Sequence, residues 1–427
     1  MTRMTRRGFL TKSVTSATVL AGAGVLGGTL LTTRMAFAAP SSTGDGRFVF
    51  IILRGALDGL TAVPPYGDSA YAALRGPLAV APPGTVEGGL KLDNLFALHP
   101  SLAFLHECFG AKELTVLHAV ATPYRERSHF DGQDVLESGV PRPHASESGW
   151  LNRALSVQGA SPRHLGVALG SNVPLVMRGP AEVASWSPSR LASLSEDTLQ
   201  RVTDLYSMDT MLSQRLADAL ASDEIAKAGQ PHPGDDMSSP MATAEPPAAG
   251  VQRNGAARFV ETVRATASFL AKDDGPRVAV LEITGWDTHA NEGGAQGQLA
   301  QRLGALDTGL REFKSALGPV WGNTAVLLAT EFGRTAATNG TRGTDHGTGS
   351  AAFLVGGAVS GGRVLADWPA LNASALYAGR DLKPTQDLRA VIKGVLHEQL
   401  MISDRALDTT VFPDSAGIRR IDGLIRA

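Results

Sequence analysis

Two short motifs combine aspartate with histidine in the second half of the chain. One is Asp287-Thr-His289, and the other is the adjacent pair Asp345-His346. Carboxylate oxygen and imidazole nitrogen, without thiolate, are ligands that suit Zn, Mn, Fe or Mg. A lone motif of this kind is more often a turn-capping aspartate beside a surface histidine. Two of them, each with a glycine nearby, favour a divalent metal site.

Two further carboxylates are candidates for the same site. Asp58 follows the first apolar run of the chain, and Glu331 begins the segment Glu-Phe-Gly-Arg-Thr after another run. With the two Asp/His motifs they would suit one or two divalent ions. The predicted metal ligands are Asp58, Asp287, His289, Glu331, Asp345 and His346.

Ser128 and His129 are candidates for the catalytic step. A serine beside a metal ion is activated by losing its proton, and nearby arginines would hold an anionic substrate. Ser128 also has the type and position to cap a helix predicted to begin at His129, and both roles can hold at once. A Ser-His-Asp hydrolase built on Ser128, His129 and Asp131 is a weaker alternative, because adjacent residues rarely aim their side chains at each other.

Two arginines complete the set of candidate catalytic residues. Arg54 and Arg334 each follow an apolar run closely. Either could bind an anionic substrate, or each could pair with a buried carboxylate such as Glu331. The residue types and positions are compatible with both roles.

The elements that must position these residues are indicated by apolar runs of strand length. Runs without alternation are typical of strands covered on both faces, and helical periodicity separates several of them. We therefore predict an α/β fold, a doubly wound, mostly parallel sheet with helices on both faces and a helical insertion. The predicted strands are Arg47–Leu53, Leu114–Val120, His164–Leu169, Arg277–Ile283, Thr324–Ala329 and Ala351–Val355. The main predicted helices cover Ser195–Lys227, Ala256–Leu270, Leu299–Leu317 and Gln386–Leu400.

This sheet would bring the polar residues together. Ligands bind at the carboxyl ends of parallel strands, and polar residues follow four of the predicted strands, those that end at Leu53, Val120, Ile283 and Ala329.

The insertion spans about 145–270, and within it 228–250 is rich in Pro, Ala, Ser and Gly, which predicts a flexible loop. We favour one domain over 39–427, because the first strands need later ones as partners.

Residues 1–38 are typical of an export signal. They hold five Lys/Arg and no Asp/Glu, and Arg6-Arg7 is followed by Gly-Phe-Leu, an apolar run and Ala-Phe-Ala-Ala. This pattern resembles a twin-arginine (Tat) signal peptide. It implies export by the Tat translocase, a periplasmic or secreted protein, and no stable membrane span after cleavage. An uncleaved anchor helix is the alternative.

The rest of the chain is acidic, although the whole sequence has a net charge of −2. It carries 34 basic and 41 acidic residues, a net charge of −7, which argues against binding to nucleic acid. A single cysteine, Cys108, excludes an intramolecular disulfide and a cysteine zinc finger. Phosphate-loop, nucleophile-elbow and His-Glu-x-x-His motifs are absent from the sequence, which weakens ATPase, α/β-hydrolase and zincin interpretations.

Seven segments of the chain resemble the Tat-exported family called domain of unknown function 1501, which belongs to the alkaline phosphatase-like superfamily. They spread over nearly all of the chain after the predicted signal. The segments are LRGALDGLTAVPPYGD (53–68), ALHPSLAFLHE (97–107), RSHFDGQDVLESG (127–139), GWDTHAN (285–291), EFGRT (331–335), GTDHGTGSAAFLVGG (343–357) and GRVLADWPAL (362–371).

The resemblance implies an alkaline phosphatase-like or sulfatase-like fold and a metal-dependent hydrolase of phosphate or sulfate esters. Superfamily enzymes carry an Asp after the first strand, a hydroxyl or modified-Cys nucleophile, an Asp with a nearby His, and an Asp-His pair. By motif, Asp58 resembles the first of these and Ser128 the nucleophile. Asp287-Thr-His289 and Asp345-His346 resemble the other two, with a divalent metal and a small anionic ester as the implied cofactor and substrate.

A non-catalytic exported binding or assembly protein with the same fold and an incomplete metal site is the alternative. The superfamily enzymes carry a further histidine, and no convincing one follows His346, since His397 lies in a helical pattern. This alternative predicts that Ser128→Ala and His346→Ala leave the phenotype unchanged.

Overall fold

The computed structural model describes residues 45–158, 166–170, 172–187, 201–203, 205–206, 209–228 and 250–426. All of them belong to the unit formed by residues 38–427. The predicted signal peptide lies outside the described residues, as does nearly all of the predicted loop 228–250.

Among the described residues, nine strands form one sheet, and two short strands pair separately. The sheet order is β10-β4-β9-β8-β1-β7-β5-β6, with β11 also on β4, while β2 pairs with β3. The strands are β1 (Arg47–Arg54), β2 (Leu90–Lys91), β3 (Ala97–Leu98), β4 (Leu114–Ala121), β5 (Gly166–Leu169), β6 (Ala184–Trp186), β7 (Val278–Thr284), β8 (Thr324–Ala329), β9 (Ser350–Val355), β10 (Arg363–Leu365) and β11 (Gln386–Asp387).

Every described strand of the main sheet except β9 runs in one direction. β1 is parallel to β7 and β8, β5 to β6 and β7, and β4 to β10 and β11. β9 is antiparallel to both of its neighbours, β4 and β8. The prediction of an α/β fold with a mostly parallel sheet is confirmed.

Helices connect most of these strands. No helix among the described residues combines the length and the apolar character needed to cross a membrane. The helices are α1 (Gly59–Ala62), α2 (Tyr71–Arg75), α3 (Ala103–Gly110), α4 (His129–Ser138), α5 (Trp150–Val157), α6 (Thr210–Ala228), α7 (Gly250–Leu270), α8 (Gln298–Leu317), α9 (Leu388–Leu400) and α10 (Asp404–Ala406). Short 3-10 turns lie at Gly76–Leu78, Leu175–Met177 and Gly318–Asn323, and a π turn lies at Leu407–Val411.

The central strand β1 contributes side chains to two hydrophobic cores, one on each face of the sheet. Val49 and Ile51 pack with residues of α3, α7 and α8, whereas Phe48 and Phe50 pack with residues of α5 and α9. Successive side chains of a strand point to opposite faces, so a strand covered on both faces must be apolar throughout. This burial explains the continuous apolar run at the start of the domain.

The segment from 145 to 270 contributes strands as well as helices. β5 pairs with β7, from Gly166 opposite Val278 to Leu169 opposite Leu281, and β6 extends the same sheet. Part of the predicted helix Ser195–Lys227 lies outside the described residues, and α6 begins at Thr210. The described part of this segment is therefore the edge of the main sheet together with the helices that cover it.

Candidate metal centre

Five polar loops meet at one edge of the sheet. Strands β1, β4, β7 and β8 end at this edge, and β9 begins there because it is antiparallel to its neighbours. The loop before β9 carries Asp345-His346, whereas the loops after β4 and β7 carry His129 and Asp287. Because β9 runs in the opposite direction, the Asp345-His346 motif that precedes it lies at the same edge as the residues that follow β4 and β7.

His129, Asp287 and His346 form the centre of this edge. One ligand atom from each lies within 4.8 Å of the others, and among the described residues this is the one such group of three or more. Nε2 of His129 is 3.5 Å from Oδ2 of Asp287, and Nε2 of His346 is 3.3 Å from Oδ1 of Asp287. The three side chains can therefore direct donor atoms at one point.

His289 adjoins this group and joins the two predicted motifs. Its Nε2 lies 3.1 Å from Oδ1 of Asp287 and 2.9 Å from Nε2 of His346. Its Nδ1 lies 3.3 Å from Oδ1 of Asp345. Asn339 donates a hydrogen bond of 3.1 Å to the same oxygen, and this bond is the main reason that the pKa of Asp345 is lowered. Asp345 is therefore placed as an ionised partner of His289.

Glu331 holds His129 from the buried side. Its Oε1 is 2.8 Å from Nδ1 of His129, and this hydrogen bond raises the pKa of the imidazole. Burial opposes ionisation of Glu331, but hydrogen bonds from His129 and from backbone N–H groups outweigh it and lower the pKa of the carboxyl. Since Nδ1 donates to Glu331, the neutral ring turns its Nε2 lone pair towards Asp287. That Nε2 is buried and has no hydrogen-bond partner.

Gly55 allows the loop after β1 to pack closely against these groups. Its N–H donates to Oε1 of Glu331 at 2.8 Å. A Cβ at this position would lie 2.7 Å from the backbone nitrogen of Asp287, and φ is +117°. Only glycine fits both the left-handed conformation and the contact.

Arg127 and Asp381 orient His346. Nδ1 of His346 is 2.8 Å from the carbonyl oxygen of Arg127, whose φ of +65° is left-handed. The Arg127 guanidinium donates to the fully buried Asp381 at 2.7 Å, and Arg380 donates to the carbonyl of His346 at 2.5 Å. Burial lowers the pKa of His346, which favours a neutral ring with its Nε2 lone pair free.

Arg334 keeps Asp287 ionised. It is buried, and its Nη1 donates to Oδ1 of Asp287 at 2.6 Å, while Nε and Nη2 donate to Thr344 at 3.1 and 2.5 Å. Burial opposes ionisation of Asp287, but the hydrogen bond and charge of Arg334 outweigh it and lower the pKa. Arg334, predicted as catalytic, is thus placed as the partner of a candidate ligand.

Asp58 is not brought to this cluster. It is buried and caps α1 by accepting hydrogen bonds from the N–H groups of Leu60 and Thr61. Its carboxylate also forms an ion pair with Arg75, which lies 3.7 Å from the buried Glu292. These contacts occupy the carboxylate oxygens, so the structure places this predicted ligand in an internal ion-pair network.

Arg54, also predicted as catalytic, is engaged by carboxylates. Its guanidinium lies 2.8 Å from Glu137, forms a second ion pair with Glu282, and donates to Gln133 at 2.9 Å. Gln133 and Glu137 belong to α4 and Glu282 belongs to β7, so Arg54 is held between this helix and this strand. Of the two roles predicted for Arg54, the structure shows pairing with carboxylates, and these are Glu137 and Glu282 rather than Glu331.

Ser128 occupies the N-cap position of α4, directly before His129, and its side chain makes no capping hydrogen bond. Its backbone N–H donates to the hydroxyl of Tyr124 at 3.1 Å. Asp131 contacts Tyr124 at 3.2 Å and His144 at 3.1 Å. His129 is held by Glu331 rather than Asp131, so the Ser-His-Asp alternative lacks its second contact.

The donors of the cluster fit a divalent ion. The Nδ1 atoms of His129, His289 and His346 all face acceptors, so their Nε2 lone pairs face inward beside a carboxylate. Two such lone pairs 2.9 Å apart, on His289 and His346, need a proton or a cation between them. Nitrogen donors with one carboxylate suit zinc in particular. The Asp287 and His289 side chains are 40% and 46% exposed, so the cluster is open to solvent.

Sequence reasoning missed the partners that orient the ligands. Arg127, Asp381 and Asn339 are far apart in the chain, and no spacing links them to His289 or His346. His129 was predicted as catalytic and not as a ligand. The available signal for it was its position, directly after the loop that follows β4, at the same edge as both Asp/His motifs.

Comparisons with known proteins identify a family. The sequence profile of the family described as "Protein of unknown function (DUF1501)" matches residues 108–411. No curated protein sequence matches this chain.

Several solved structures are similar in fold. The phosphonate monoester hydrolase of Agrobacterium radiobacter has a TM-score of 0.40 and 9% identity, covering 84% of this chain and 74% of that chain. A TAB5 alkaline phosphatase variant with bound magnesium has a TM-score of 0.35 and 13% identity, covering 76% and 94%. The lipoteichoic acid synthase LtaP from Listeria monocytogenes has a TM-score of 0.37 and 8% identity, covering 87% and 76%. At such scores nothing about substrate or reaction follows.

Proposed function

The chain belongs to the DUF1501 family of proteins of unknown function, and we propose that it is a metal-dependent hydrolase of phosphate or sulfate esters. One observation carries the proposal. His129, Asp287 and His346 direct donor atoms to one point, and the buried Nε2 of His129 has no hydrogen-bond partner there. A buried polar atom is almost always paired, so an unpaired imidazole nitrogen facing a carboxylate favours a cation as its partner.

The metal would be held by His129, Asp287 and His346, with His289 as a fourth ligand. Zn, Mn, Fe and Mg are all compatible with nitrogen and oxygen donors, and three imidazoles favour zinc. When bound, such an ion supplies Lewis-acid stabilisation of the negative charge that develops on the oxygens of the ester.

The other residues of the site fix the ligands in advance. Glu331 sets the tautomer of His129, and the Arg127 carbonyl sets that of His346. Arg334 holds Asp287 as a carboxylate. Outer partners of this kind orient the ligands before substrate arrives, so little reorganisation is needed during the reaction.

Ser128 is the proposed nucleophile. Its Oγ would attack phosphorus or sulfur, forming a bond to serine while the bond to the alcohol breaks and the alcohol leaves. Water would then hydrolyse the serine ester and release phosphate or sulfate. The hydroxyl is not used as a helix cap, and the first-turn N–H groups of α4 favour a negative charge nearby.

Metal content and hydrolysis of a panel of phosphate and sulfate esters test the proposal. Wild type should hold about one metal equivalent and hydrolyse at least one ester class. Ser128→Ala should keep the metal and lose the activity, His346→Ala should lose both, and Ser156→Ala on α5 is the control. Metal far below one equivalent, with no gain on adding zinc or manganese, would falsify the proposal. Bound metal without hydrolysis, and a phenotype unchanged in Ser128→Ala, would favour the non-catalytic alternative.

We also propose that residues 1–38 direct export by the Tat translocase and that the protein works in the periplasm or outside the cell. The proposal rests on Arg6-Arg7 and the apolar run that follows. A reporter fused after Ala39 should be exported, and replacing both arginines with lysine should hold it in the cytoplasm. Arg34→Lys is the control, and export of the double variant at the wild-type rate contradicts the proposal.

A further inference from the structure

Four arginines at this edge of the sheet have little capacity to bind an anion. Their guanidinium groups are engaged by carboxylates or by backbone carbonyls of the protein itself. These are Arg54 with Glu137 and Glu282, Arg125 with the carbonyls of Thr122 and Tyr124, Arg127 with Asp381, and Arg334 with Asp287 and Thr344. An arginine with unpaired donors would therefore bind a substrate anion more readily than any of these four.

Arg302, in the second turn of α8, is different. Its Nη1 is buried and has no hydrogen-bond partner. Across the described ranges of the chain, its side chain makes neither a hydrogen bond nor an ion pair. Its Nε and Nη2 also have no partner among the described residues, and the side chain as a whole is only partly buried, so these donors are the ones that an incoming acceptor can reach.

The guanidinium lies over Gly285, at the end of the loop that carries Asp287. A Cβ built on Gly285 would be 3.3 Å from Nε and 3.8 Å from Cζ of Arg302. Gly285 is exposed to solvent, so the guanidinium above it can be reached from solvent. Its φ of +99° favours glycine, and a Cβ there would crowd the guanidinium. Burial lowers the pKa of Arg302, and the nearby charge of Asp287 opposes that effect.

We propose that Arg302 binds the anionic group of the substrate, beside the metal centre and across Gly285. This inference rests on the proposed function and adds to it the residue that binds the free tetrahedral oxyanion of the ester. The planar fork of a guanidinium can donate two parallel hydrogen bonds to such a group. The oxyanion then lies beside the cluster, where the Arg302 guanidinium passes over Gly285. Arg302 is a binding residue that fixes which face of the substrate meets His129 and His346.

Direct binding of inorganic phosphate tests the proposal without relying on activity. Calorimetric titration compares EDTA-treated wild type with Arg302→Met, which keeps the apolar stem, and with Arg302→Lys, which keeps the charge but not the fork. We expect Arg302→Met to raise the Kd for phosphate at least tenfold and Arg302→Lys to have an intermediate effect. Arg311→Met is the matched control, because Arg311 lies on the same helix and pairs with the exposed Glu107 at 2.8 and 3.0 Å. It should leave the Kd within twofold of wild type.

Two outcomes overturn the proposal. One is a Kd for Arg302→Met within twofold of wild type, and the other is the absence of saturable phosphate binding by wild type. Thermal unfolding and zinc titration of each variant keep the two proposals separate. Arg302→Met should unfold at or above the wild-type temperature, because it removes a buried unpaired donor, and should bind zinc with wild-type affinity. If wild type binds phosphate through Arg302 but binds no metal, the hydrolase proposal fails and the anion site stands. If wild type binds metal and hydrolyses esters while Arg302→Met behaves as wild type, the anion site alone fails.

Discussion

Two groups of charged side chains lie near the same edge of the sheet and differ in their exposure to solvent and in whether their polar atoms are already paired. The ligand cluster (His129, Asp287, His289 and His346) is partly exposed and contains a buried nitrogen without a partner. The buried network (Asp58, Arg75 and Glu292) is excluded from water and pairs its charges internally. Thr344 joins the two groups, because its hydroxyl donates to Glu292 at 2.7 Å and accepts from Arg334 at 3.1 Å.

The comparison shows that an aspartate after a strand has two possible fates. Asp287 meets imidazoles and the guanidinium of Arg334, and still exposes 40% of its side chain. Asp58 meets Arg75 in the interior and is 1% exposed. A carboxylate whose oxygens are already taken stabilises the fold, whereas one that remains open to solvent can bind an ion or a substrate.

Removing Asp58 from the buried network should have the largest effect, and it should fall on stability. Asp58→Ala leaves Arg75 as a buried charge without its closest partner, so we expect the free energy of unfolding to fall by roughly 3–5 kcal/mol. Urea unfolding measures this. Glu107→Ala, which removes an exposed ion pair, should leave stability almost unchanged. A loss below about 1 kcal/mol for Asp58→Ala would show that the network is not a stabilising element.

Removing a member of the ligand cluster should affect metal binding more than stability. The loss of an outer partner typically weakens metal affinity by about 10–100-fold, and the loss of a ligand should cost more. We therefore expect His346→Ala to raise the Kd for zinc by more than about 100-fold, as measured by competition with a chelator. His106→Ala, which changes a partly exposed histidine away from the cluster, is the control. Zinc affinity that is equal in the two variants would remove His346 from the site.

Changing Glu331 should affect both zinc affinity and its pH dependence. Glu331→Gln removes the charge that raises the pKa of His129, so that pKa should fall. Zinc competes with protons for His129, so the pH at which acidification halves zinc binding should move down. The affinity at pH 8 should fall by about 10–100-fold, because the ring loses its ionic partner.

The control for this change is Asp131→Asn, which is close in sequence but does not contact His129. It should alter neither quantity. A pH profile of Glu331→Gln that coincides with that of wild type would mean that Glu331 does not set the protonation of His129.

The smallest effect on stability at pH 6 should come from replacing Glu292. Burial and the charge of Asp58 raise the pKa of Glu292 from 4.5 to about 8. The native state then keeps a proton that the unfolded state loses, so the free energy of unfolding should fall as the pH rises from about 4.5 through 8. Glu292→Gln mimics the protonated form and should flatten this slope, with little change in stability at pH 6. Urea unfolding at pH 6 and pH 8 measures it, and a variant with the wild-type slope contradicts the assignment.

Much of the sheet could be predicted because its central strands are buried on both faces. Thr324–Ala329 is predicted and observed with the same bounds, and Arg47–Leu53 differs from β1 by one residue. The short strands β6, β10 and β11 were not predicted. They have two or three residues with partly exposed side chains, so burial leaves no apolar run by which to recognise them.

The candidate site could be predicted in part. Asp287, His289, Asp345 and His346 do come together, because β7 ends and β9 begins at one edge. The position of Asp58 could not be predicted, since its role depends on Arg75 reaching it from α2. Arg302 could not be recognised either, because its distinguishing property is the absence of a partner among the described residues of the folded chain.

By itself the sequence determined the alternation of strands and helices, the acidic character of the chain after residue 38, and the residue types available as ligands. These properties depend on local composition and on the burial of whole strands. The tertiary structure decided which carboxylates are free and which are paired, which nitrogen of each histidine faces the cluster, and which arginine beside the site keeps a donor unpaired. Those properties depend on contacts between residues such as Glu331 with His129, Asp381 with Arg127, and Arg302 with Gly285, which only the packing of distant loops brings together.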